Sequence, residues 1–280
     1  MNPNVSSSLL HFTKTIDALK GILSRGFRYS YCSEEFPMAV INNVVHRYDA
    51  GFEPKNFCNG SGRVLIPMVS FCDIPLTRAE VHSSHYGKYI VGIDKDLARN
   101  VYRNIMPVQY MAGERFRMAL SELSMFKCSE LAKDEPQVDD SINVILSSTK
   151  MYEISRQGNF VKCYNEREWR VVLPDRDNHR WGWILQDGES KEAYNKKLHQ
   201  QDDIFLSFMV DEDDDSHKII EETLPRFITH IVVDKESEVG HIVDYILDQS
   251  NSIFGYKLSL ELRKLLVSKI SSFERLSDDY

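Results

Sequence analysis

The chain has 280 residues, of which 42% are hydrophobic, and a formal net charge of −8 at pH 7. This apolar content suffices for a folded core and excludes overall disorder, while the negative charge argues against a general coat for duplex nucleic acid. No stretch approaches the roughly 20 apolar residues that span a membrane, and residues 1–8 lack the features of a signal peptide. Because its five cysteines show no paired spacing, we expect reduced thiols and a cytoplasmic protein.

A strand followed by a helix is predicted at the start of the chain. Residues 9–13 form the strand, Thr15 is suited to cap the helix, and Gly26 is the expected stop. His11 and Thr13 then share one strand face directly before the helix. A strand histidine is more often a packing residue, so both interpretations stay open at this point.

A second strand is predicted over residues 66–75. Ser70 and Phe71 point to opposite faces if this strand is regular. Thr77 and Glu80 have the spacing of a capping box, so a helix is expected to follow. Asp94 is expected to cap another helix after a strand at 89–93. Further strands are predicted at 181–188, 205–209 and 228–233, and helices at 114–131, 142–154, 239–247 and 259–276.

Residues 164–170 are the most informative stretch of the chain. We predict that they open a strand with Trp169 on its apolar face and with Glu166, Glu168 and Arg170 on the other. The apolar face requires a core, and the opposite face offers two carboxylates and a guanidinium, which suits a cleft. On pattern alone, a surface strand with solvated charges is an equal alternative.

These segments together resemble the AbiGi-type family of phage abortive-infection proteins. The resemblance is carried by residues 11–13, 68–75, 86–87 and 165–170. Their order and spacing are also similar to the ADP-ribosyltransferase fold, especially to DarT-like toxins and to CmdT-type toxins of messenger RNA. We therefore expect an α+β fold, with a split, curved β-sheet surrounded by helices. A single ADP-ribosyltransferase-like domain with a C-terminal helical elaboration is expected over residues 1–280.

The resemblance implies an NAD-dependent ADP-ribosyltransferase, a toxin of anti-phage defence that modifies nucleic acid, with RNA as the expected acceptor. Cleavage of the bond between nicotinamide and ribose passes through an oxocarbenium-like state, and a fixed carboxylate stabilises its positive charge. Glu168 matches the family's catalytic position. Glu166 is assigned the orientation or deprotonation of the acceptor.

The resemblance also implies a set of residues that bind NAD as a substrate. His11 is expected to bond a ribose hydroxyl, and Thr13 to contact the ribose or the amide. Ser70 and Phe71 are expected to contact the nicotinamide ribose and ring, with Tyr86 as a further aromatic wall. Both Ser70 and Phe71 can face NAD only if the strand has a bulge, and a core position is an open alternative for Phe71. The interpretation requires His11 and Glu168 to bind one dinucleotide.

Partners and alternatives complete the sequence-based account. The resemblance implies a neutralising antitoxin and allows a dedicated chaperone. An assisting arginine stays unassigned among Arg28, Arg47 and Arg63. No glycine-rich phosphate loop, CxxC or HExxH motif is present, and no metal site is predicted. The alternative function is a non-enzymatic antitoxin or phage-sensing binding protein on the same scaffold.

Arginines interleaved with aromatic residues in the N-terminal half suggest a groove for single-stranded nucleic acid. An ordinary solvated helix surface is the alternative. The residues of this candidate groove are Arg25, Phe27, Arg28, Tyr29, Arg99, Tyr102, Arg103, Arg115, Phe116 and Arg117.

Overall fold

The computed structural model describes residues 6–37, 40, 61–102, 104–127, 144–156, 159–173, 184–185, 190–201, 205–206 and 214–278. The chain divides into two compact units, each assembled from separate stretches of sequence. Unit 1 comprises Met1–Arg28, Ser70–Ile105 and Phe205–Tyr280, and unit 2 comprises Tyr29–Val69 and Met106–Ile204. The expectation of one ADP-ribosyltransferase-like domain stays a prediction.

Helices and strands are mixed along the described residues and most of the paired strands run antiparallel, so the chain is of the α+β type. The strands are β1 (Ser8–Thr13), β2 (Ser30–Pro37), β3 (Ser61–Cys72), β4 (Tyr89–Asp94), β5 (Met106–Pro107), β6 (Gln109–Met111), β7 (Thr149–Met151), β8 (Glu153–Arg156), β9 (Asn159–Lys162), β10 (Glu168–Val172), β11 (Ile184–Leu185), β12 (Ile228–Val233) and β13 (Ile270–Ser272). The helices are α1 (Ile16–Arg25), α2 (Ala79–Tyr86), α3 (Lys95–Val101), α4 (Glu114–Lys127), α5 (Lys191–Gln201), α6 (Asp214–Phe227), α7 (Val239–Leu247), α8 (Leu260–Val267) and α9 (Phe273–Asp278).

In unit 1 the strands follow the order β13-β12-β4-β1-β3. β1 and β12 both run antiparallel to β4, and His11 and Ile231 both stand opposite Val91. β13 runs parallel to β12. Burial of an apolar side chain contributes about 1.5–3 kcal/mol, so these strands anchor the unit. One core cluster consists of Leu10, Ile74, Ala79, Ile90, Val232 and Phe273.

Local capping signals set the ends of several elements of unit 1, as predicted. The side chain of Thr15 accepts a hydrogen bond from Ala18 N, and Gly26, with φ 93°, ends α1. Asp94 likewise accepts a bond from Leu97 N and starts α3. The predicted strand at 228–233 and helix at 239–247 are confirmed as β12 and α7.

Unit 2 is organised around the long strand β3, whose residues 61–69 belong to it. β2 pairs with β3 antiparallel over its whole length, β11 pairs with residues 64–65, and β10 lies next to β3. The N–H of Leu173 donates to Pro67 O at 3.0 Å. The core of this unit contains Phe36, Val40, Val64, Ile66, Met68, Met111, Leu120, Leu146 and Met151.

Two predicted helices are correct only in part, because strand pairing captures the rest of their sequence. The segment predicted as a helix at 142–154 is helical at residues 144–147, but it also contains β7, which pairs in parallel with β6, and the first half of β8, which pairs with β9. The segment at 259–276 is split into α8, β13 and α9 because β13 pairs with β12.

The predicted capping box of Thr77 and Glu80 is also wrong. A 3-10 turn over Leu76–Arg78 precedes α2, and neither Pro75 nor Arg78 makes a side-chain cap bond.

Some predictions lie outside the described residues, namely those for 128–131, 142–143, 181–183, 186–188 and 207–209. Within the part of the chain that the structure describes, every helix is too short or too polar to cross a membrane.

Candidate functional site

The strand predicted from Tyr164 begins four residues later, at Glu168. Residues Cys163–Glu166 form a 3-10 turn, and Arg167 adopts the left-handed conformation with φ 44° and ψ 49°. This residue interrupts the alternation of side chains. The prediction that Glu166 lies on a strand face with Glu168 is therefore wrong.

The charged face of β10 points into unit 2. Glu168 is 6% exposed and Arg170 is fully buried, whereas Trp169 is only half-buried. Neither the predicted core position of Trp169 nor the alternative of solvated charges is correct. A buried charge is costly unless it is paired, so the partners of these two side chains decide what the site can do.

Lys150 is the partner that both predicted carboxylates share. Its Nζ donates to Glu166 Oε2 at 2.7 Å and to Glu168 Oε2 at 2.9 Å. Glu34 Oε1 lies 3.9 Å from the same ammonium. The structure thus brings Glu166 and Glu168 together, but through a lysine on β7 rather than through strand alternation.

Arg170 completes this carboxylate cluster, which consists of Glu34, Lys150, Glu166, Glu168 and Arg170. Its Nη2 lies 3.0 Å from Glu168 Oε2 and 3.2 Å from Glu34 Oε1, and its Nη1 donates to Ser147 O at 2.9 Å. The cluster therefore holds three carboxyl groups and two cations.

Electrostatics separate the two deepest carboxyl groups of the cluster. Burial alone would raise the pKa of Glu168, but the charges of Arg170 and Lys150 outweigh it and lower this pKa to about 2. Burial dominates at Glu34, whose pKa is raised despite the same two cations. Burial opposes the charge on Lys150, yet Glu34, Glu168 and Glu166 together raise its pKa above the usual value. Glu168 is thus the carboxylate that stays ionised.

Cys32 lies close to this cluster. Burial, followed by the charge of Glu34, raises the pKa of its thiol to about 11. Because the thiolate is the nucleophilic form, this cysteine is protonated and unreactive at neutral pH.

Lys150 and Glu34 were missed by the sequence analysis. Lys150 lay in the part of the predicted helix at 142–154 that forms β7 in the structure. The run Ser147-Ser148-Thr149 directly before it has low helix propensity and was the available signal for a helix end. Glu34 stands in β2, and no local pattern marks it, since its role depends on the pairing of β2 with β3.

The predicted NAD-binding residues lie in unit 1, where three of them are in contact. His11 Nδ1 is 2.9 Å from Ser70 O. A carbonyl only accepts, so Nδ1 carries the proton, and Nε2 of the neutral ring is an acceptor. Burial lowers the pKa of His11 more than the bond to Ser70 raises it. A neutral imidazole with an accepting Nε2 is suited to a ribose hydroxyl.

Aromatic rings enclose His11. Phe27 and Phe71 meet its ring edge-on, with centroids 5.1 and 5.7 Å away. Phe71 is 1% exposed, so the core alternative accounts for its burial. Its contact with nicotinamide stays a prediction.

The glycine that follows Tyr86 lies against the backbone of Thr13. Gly87 follows Tyr86 at the end of α2 and has φ 108°. A Cβ at this position would lie 2.2 Å from Thr13 O, so only glycine permits the approach. Thr13 and Tyr86 are both half-buried.

The seven predicted site residues thus fall into two sets. His11, Thr13, Ser70, Phe71 and Tyr86 belong to unit 1, and Glu166 and Glu168 belong to unit 2. Their action on one NAD molecule stays a prediction.

The candidate groove of arginines and aromatics is not built as expected. Phe27, Tyr29 and Tyr102 are buried core residues and are not available for stacking on bases, while Phe116 is exposed. Among the residues that the structure describes, no group of three or more His, Cys, Asp or Glu side chains is arranged to hold a metal ion.

Comparison with known proteins gives one family and one curated relative. A family model described as "Putative abortive phage resistance protein AbiGi, antitoxin" matches residues 50–220, more than half of the chain. An abortive phage resistance protein AbiGi from Lactococcus lactis subsp. cremoris is 26% identical over 248 residues, covering 77% of this chain and 89% of the relative. The solved structures gave no significant match.

Proposed function

The chain belongs to the AbiGi family of putative abortive phage resistance proteins, and from this premise we propose that it is an NAD-dependent ADP-ribosyltransferase toxin. It acts in abortive phage resistance, the role that the name of its relative also states. The proposed reaction transfers ADP-ribose from NAD to nucleic acid, with RNA as the acceptor. Nicotinamide leaves, and the acceptor loses a proton.

The two ion pairs of Glu168, with Lys150 and Arg170, are the observation that carries this proposal. Arg170 and Lys150 hold the pKa of Glu168 at about 2, so the carboxylate is negative at any cellular pH. It stands at the first position of β10, and its backbone N–H donates to Tyr110 Oη at 2.8 Å. A fixed negative charge is what an oxocarbenium-like ribose requires.

The other predicted residues have matching roles in the proposal. Nε2 of His11 accepts a hydrogen bond from a ribose hydroxyl, because Nδ1 is committed to Ser70 O. Glu166, which shares Lys150 with Glu168, accepts the proton of the attacking group on the acceptor. Under this proposal a neutralising antitoxin is the expected partner.

A second candidate is a non-enzymatic antitoxin that binds a toxin. The family description contains the word antitoxin. In addition, Glu168 is 6% exposed, and two cations already bond its Oε2. Under this alternative the carboxylate cluster stabilises the fold and performs no chemistry.

Label transfer from NAD tests the proposal against this alternative. The full chain is incubated with NAD labelled in its adenylate phosphate and with separate pools of RNA, DNA and protein. We expect label in the RNA pool. Label in protein alone would contradict the acceptor, and label in none of the pools would favour the antitoxin.

Two variants in the same cluster serve as a matched pair. Glu168→Gln removes the proposed charge, and Glu34→Gln removes a neighbouring carboxyl group that contacts the same Arg170. We expect folded Glu168→Gln to lose at least about 100-fold in rate, the scale of one lost electrostatic stabiliser, and Glu34→Gln to keep most activity. Equal losses would assign the cluster a structural role only.

A further inference from the structure

Three tyrosines of unit 2, Tyr110, Tyr152 and Tyr164, form a cluster of rings at the 3-10 turn that contains Glu166. The Tyr164 ring is stacked on Tyr152, with centroids 5.8 Å apart and an interplanar angle of 28°. It also meets Tyr110 edge-on at 5.4 Å. Although two rings contact it, Tyr164 remains 54% exposed. The ring is therefore held by its neighbours and still accessible from the solvent.

Backbone bonds fix the position of this cluster. Cys163 N–H donates to Tyr152 O at 2.8 Å, and Tyr152 N–H donates to Met111 O at 2.9 Å. Arg167 N–H donates to Tyr164 O at 3.1 Å. The three rings are therefore preorganised, and a ligand that binds them pays little ordering entropy.

The cluster is directly connected to the proposed catalytic carboxylates. Tyr164 stands two residues before Glu166 in the same 3-10 turn. Tyr110 accepts the backbone N–H of Glu168 at 2.8 Å. The cluster is thereby tied to the backbone of both carboxylate residues.

Exposed cations lie near Tyr164 in the chain. Glu166 and Glu168 are buried and bonded to Lys150. Arg167, three residues after Tyr164, and Lys162, two residues before it, are both exposed, and Lys162 stands opposite Glu153 in the β8–β9 pair.

The backbone of Arg167 gives an independent indication. Its left-handed conformation, φ 44°, is one that glycine or asparagine adopts more readily. Strained residues of this kind concentrate at ligand-binding and active sites.

We propose that Tyr164, supported by Tyr152 and Tyr110 and flanked by Arg167, is a stacking platform for a base of single-stranded nucleic acid. Aromatic rings beside a cation are the usual means of holding single strands, because every base has a stacking face and every nucleotide a phosphate. The inference rests on the proposed function, since it assigns the contact that holds the RNA acceptor. A protein partner is the competing occupant.

Binding of RNA in the absence of NAD tests the platform. The full chain is titrated into a short, unstructured, fluorescently labelled RNA oligonucleotide, and anisotropy is recorded at several salt concentrations. We expect Tyr164→Ala to weaken binding about tenfold or more and Tyr164→Phe to stay within about twofold, because phenylalanine keeps the stacking face. Val144→Ala shortens another exposed apolar side chain of unit 2 and is expected to have no effect.

Arg167→Gly is the matched test of the charge. Glycine relaxes the left-handed backbone, so this variant is expected to fold at least as stably as the wild type. Its affinity for RNA is expected to fall, and the slope of log K against log salt to decrease by about 0.7, the value for one phosphate contact with a single strand.

Three outcomes would overturn the platform. The first is that the wild type does not bind RNA. The second is that Tyr164→Ala binds RNA as tightly as the wild type. The third is that Tyr164→Ala loses binding to a protein partner while its binding of RNA stays intact. Failure of the proposed transferase activity can be distinguished from failure of the platform. Intact RNA binding with no transfer of label would contradict the enzyme and spare the platform, whereas full transfer to RNA by Tyr164→Ala would contradict the platform alone.

Discussion

Glu168 and Glu34 lie beside the same two cations, yet their pKa values shift in opposite directions. The pKa of Glu168 falls to about 2, while burial raises that of Glu34. The folded state therefore gains stability from ionised Glu168 and loses stability when Glu34 ionises. Both carboxyl groups start from a reference pKa of 4.5, so this reference sets the pH window for a test.

Unfolding free energies of Glu168→Gln and Glu34→Gln should diverge with pH. The deficit of Glu168→Gln relative to wild type should be about 3 kcal/mol at pH 7 and shrink as the pH falls from 4.5 toward 2, since the wild type then loses its ion pairs. Relative to wild type, Glu34→Gln should instead gain stability as the pH rises above 4.5. Urea unfolding between pH 3.5 and about 7 measures both. Parallel curves for the two variants would contradict the assigned pKa directions.

The tautomer of His11 is a second test at this scale. Burial lowers its pKa, and its Nδ1–H donates to Ser70 O. We expect the nitrogen chemical shifts of its ring to report a neutral, Nδ1-protonated imidazole at pH 7. A proton on Nε2, or a charged ring, would remove the proposed acceptor for the ribose hydroxyl.

Single residues also show where sequence reasoning stopped. Glu168, Glu166 and His11 were chosen from local patterns together with the family resemblance. Lys150, whose ammonium bonds Glu166 and Glu168, was missed, since its position depends on the pairing of β7 with β6. The left-handed conformation of Arg167 was not predicted either, because neither glycine nor asparagine stands at this position.

At the scale of elements, predictions were correct where local hydrogen bonds set the ends of an element. They were wrong where pairing with a strand distant in sequence set those ends. α1 begins and ends at its caps, Thr15 and Gly26, and β12 is rich in β-branched residues, which favour strands. By contrast, β13 interrupts a periodic pattern of leucines only because β12 offers a parallel partner. Such a partner lies about 40 residues away, beyond the reach of a local pattern.

Two glycine substitutions should have opposite effects on stability. Gly87→Ala places a Cβ 2.2 Å from Thr13 O at φ 108° and is expected to destabilise the fold by at least about 2 kcal/mol. Gly21 lies inside α1 with nothing within 4 Å, so Gly21→Ala should stabilise by about 0.5–1 kcal/mol. Thermal or urea unfolding of both variants measures the effects. A Gly87→Ala protein as stable as wild type would show that the contact between α2 and β1 is not tight.

At the scale of the whole molecule, a net charge of −8 limits how the chain can meet nucleic acid. Duplex affinity depends on neutralised phosphates, so a single stacking platform should favour single strands. We expect anisotropy titrations at physiological salt to show weaker binding of a DNA duplex than of single-stranded RNA of the same length. A duplex bound as tightly as the single strand would indicate a basic surface rather than a platform.

The central claim is that Glu168 stabilises the charge that forms when NAD is cleaved, and release of nicotinamide tests it most directly. Wild type, Glu34→Gln and Glu168→Gln are compared with NAD and RNA, under conditions in which unfolding measurements show all three to be folded. The account predicts nicotinamide release by wild type and Glu34→Gln, and a rate lower by at least about 100-fold for Glu168→Gln. Equal rates for wild type and Glu168→Gln, or no release by the wild type, would contradict it.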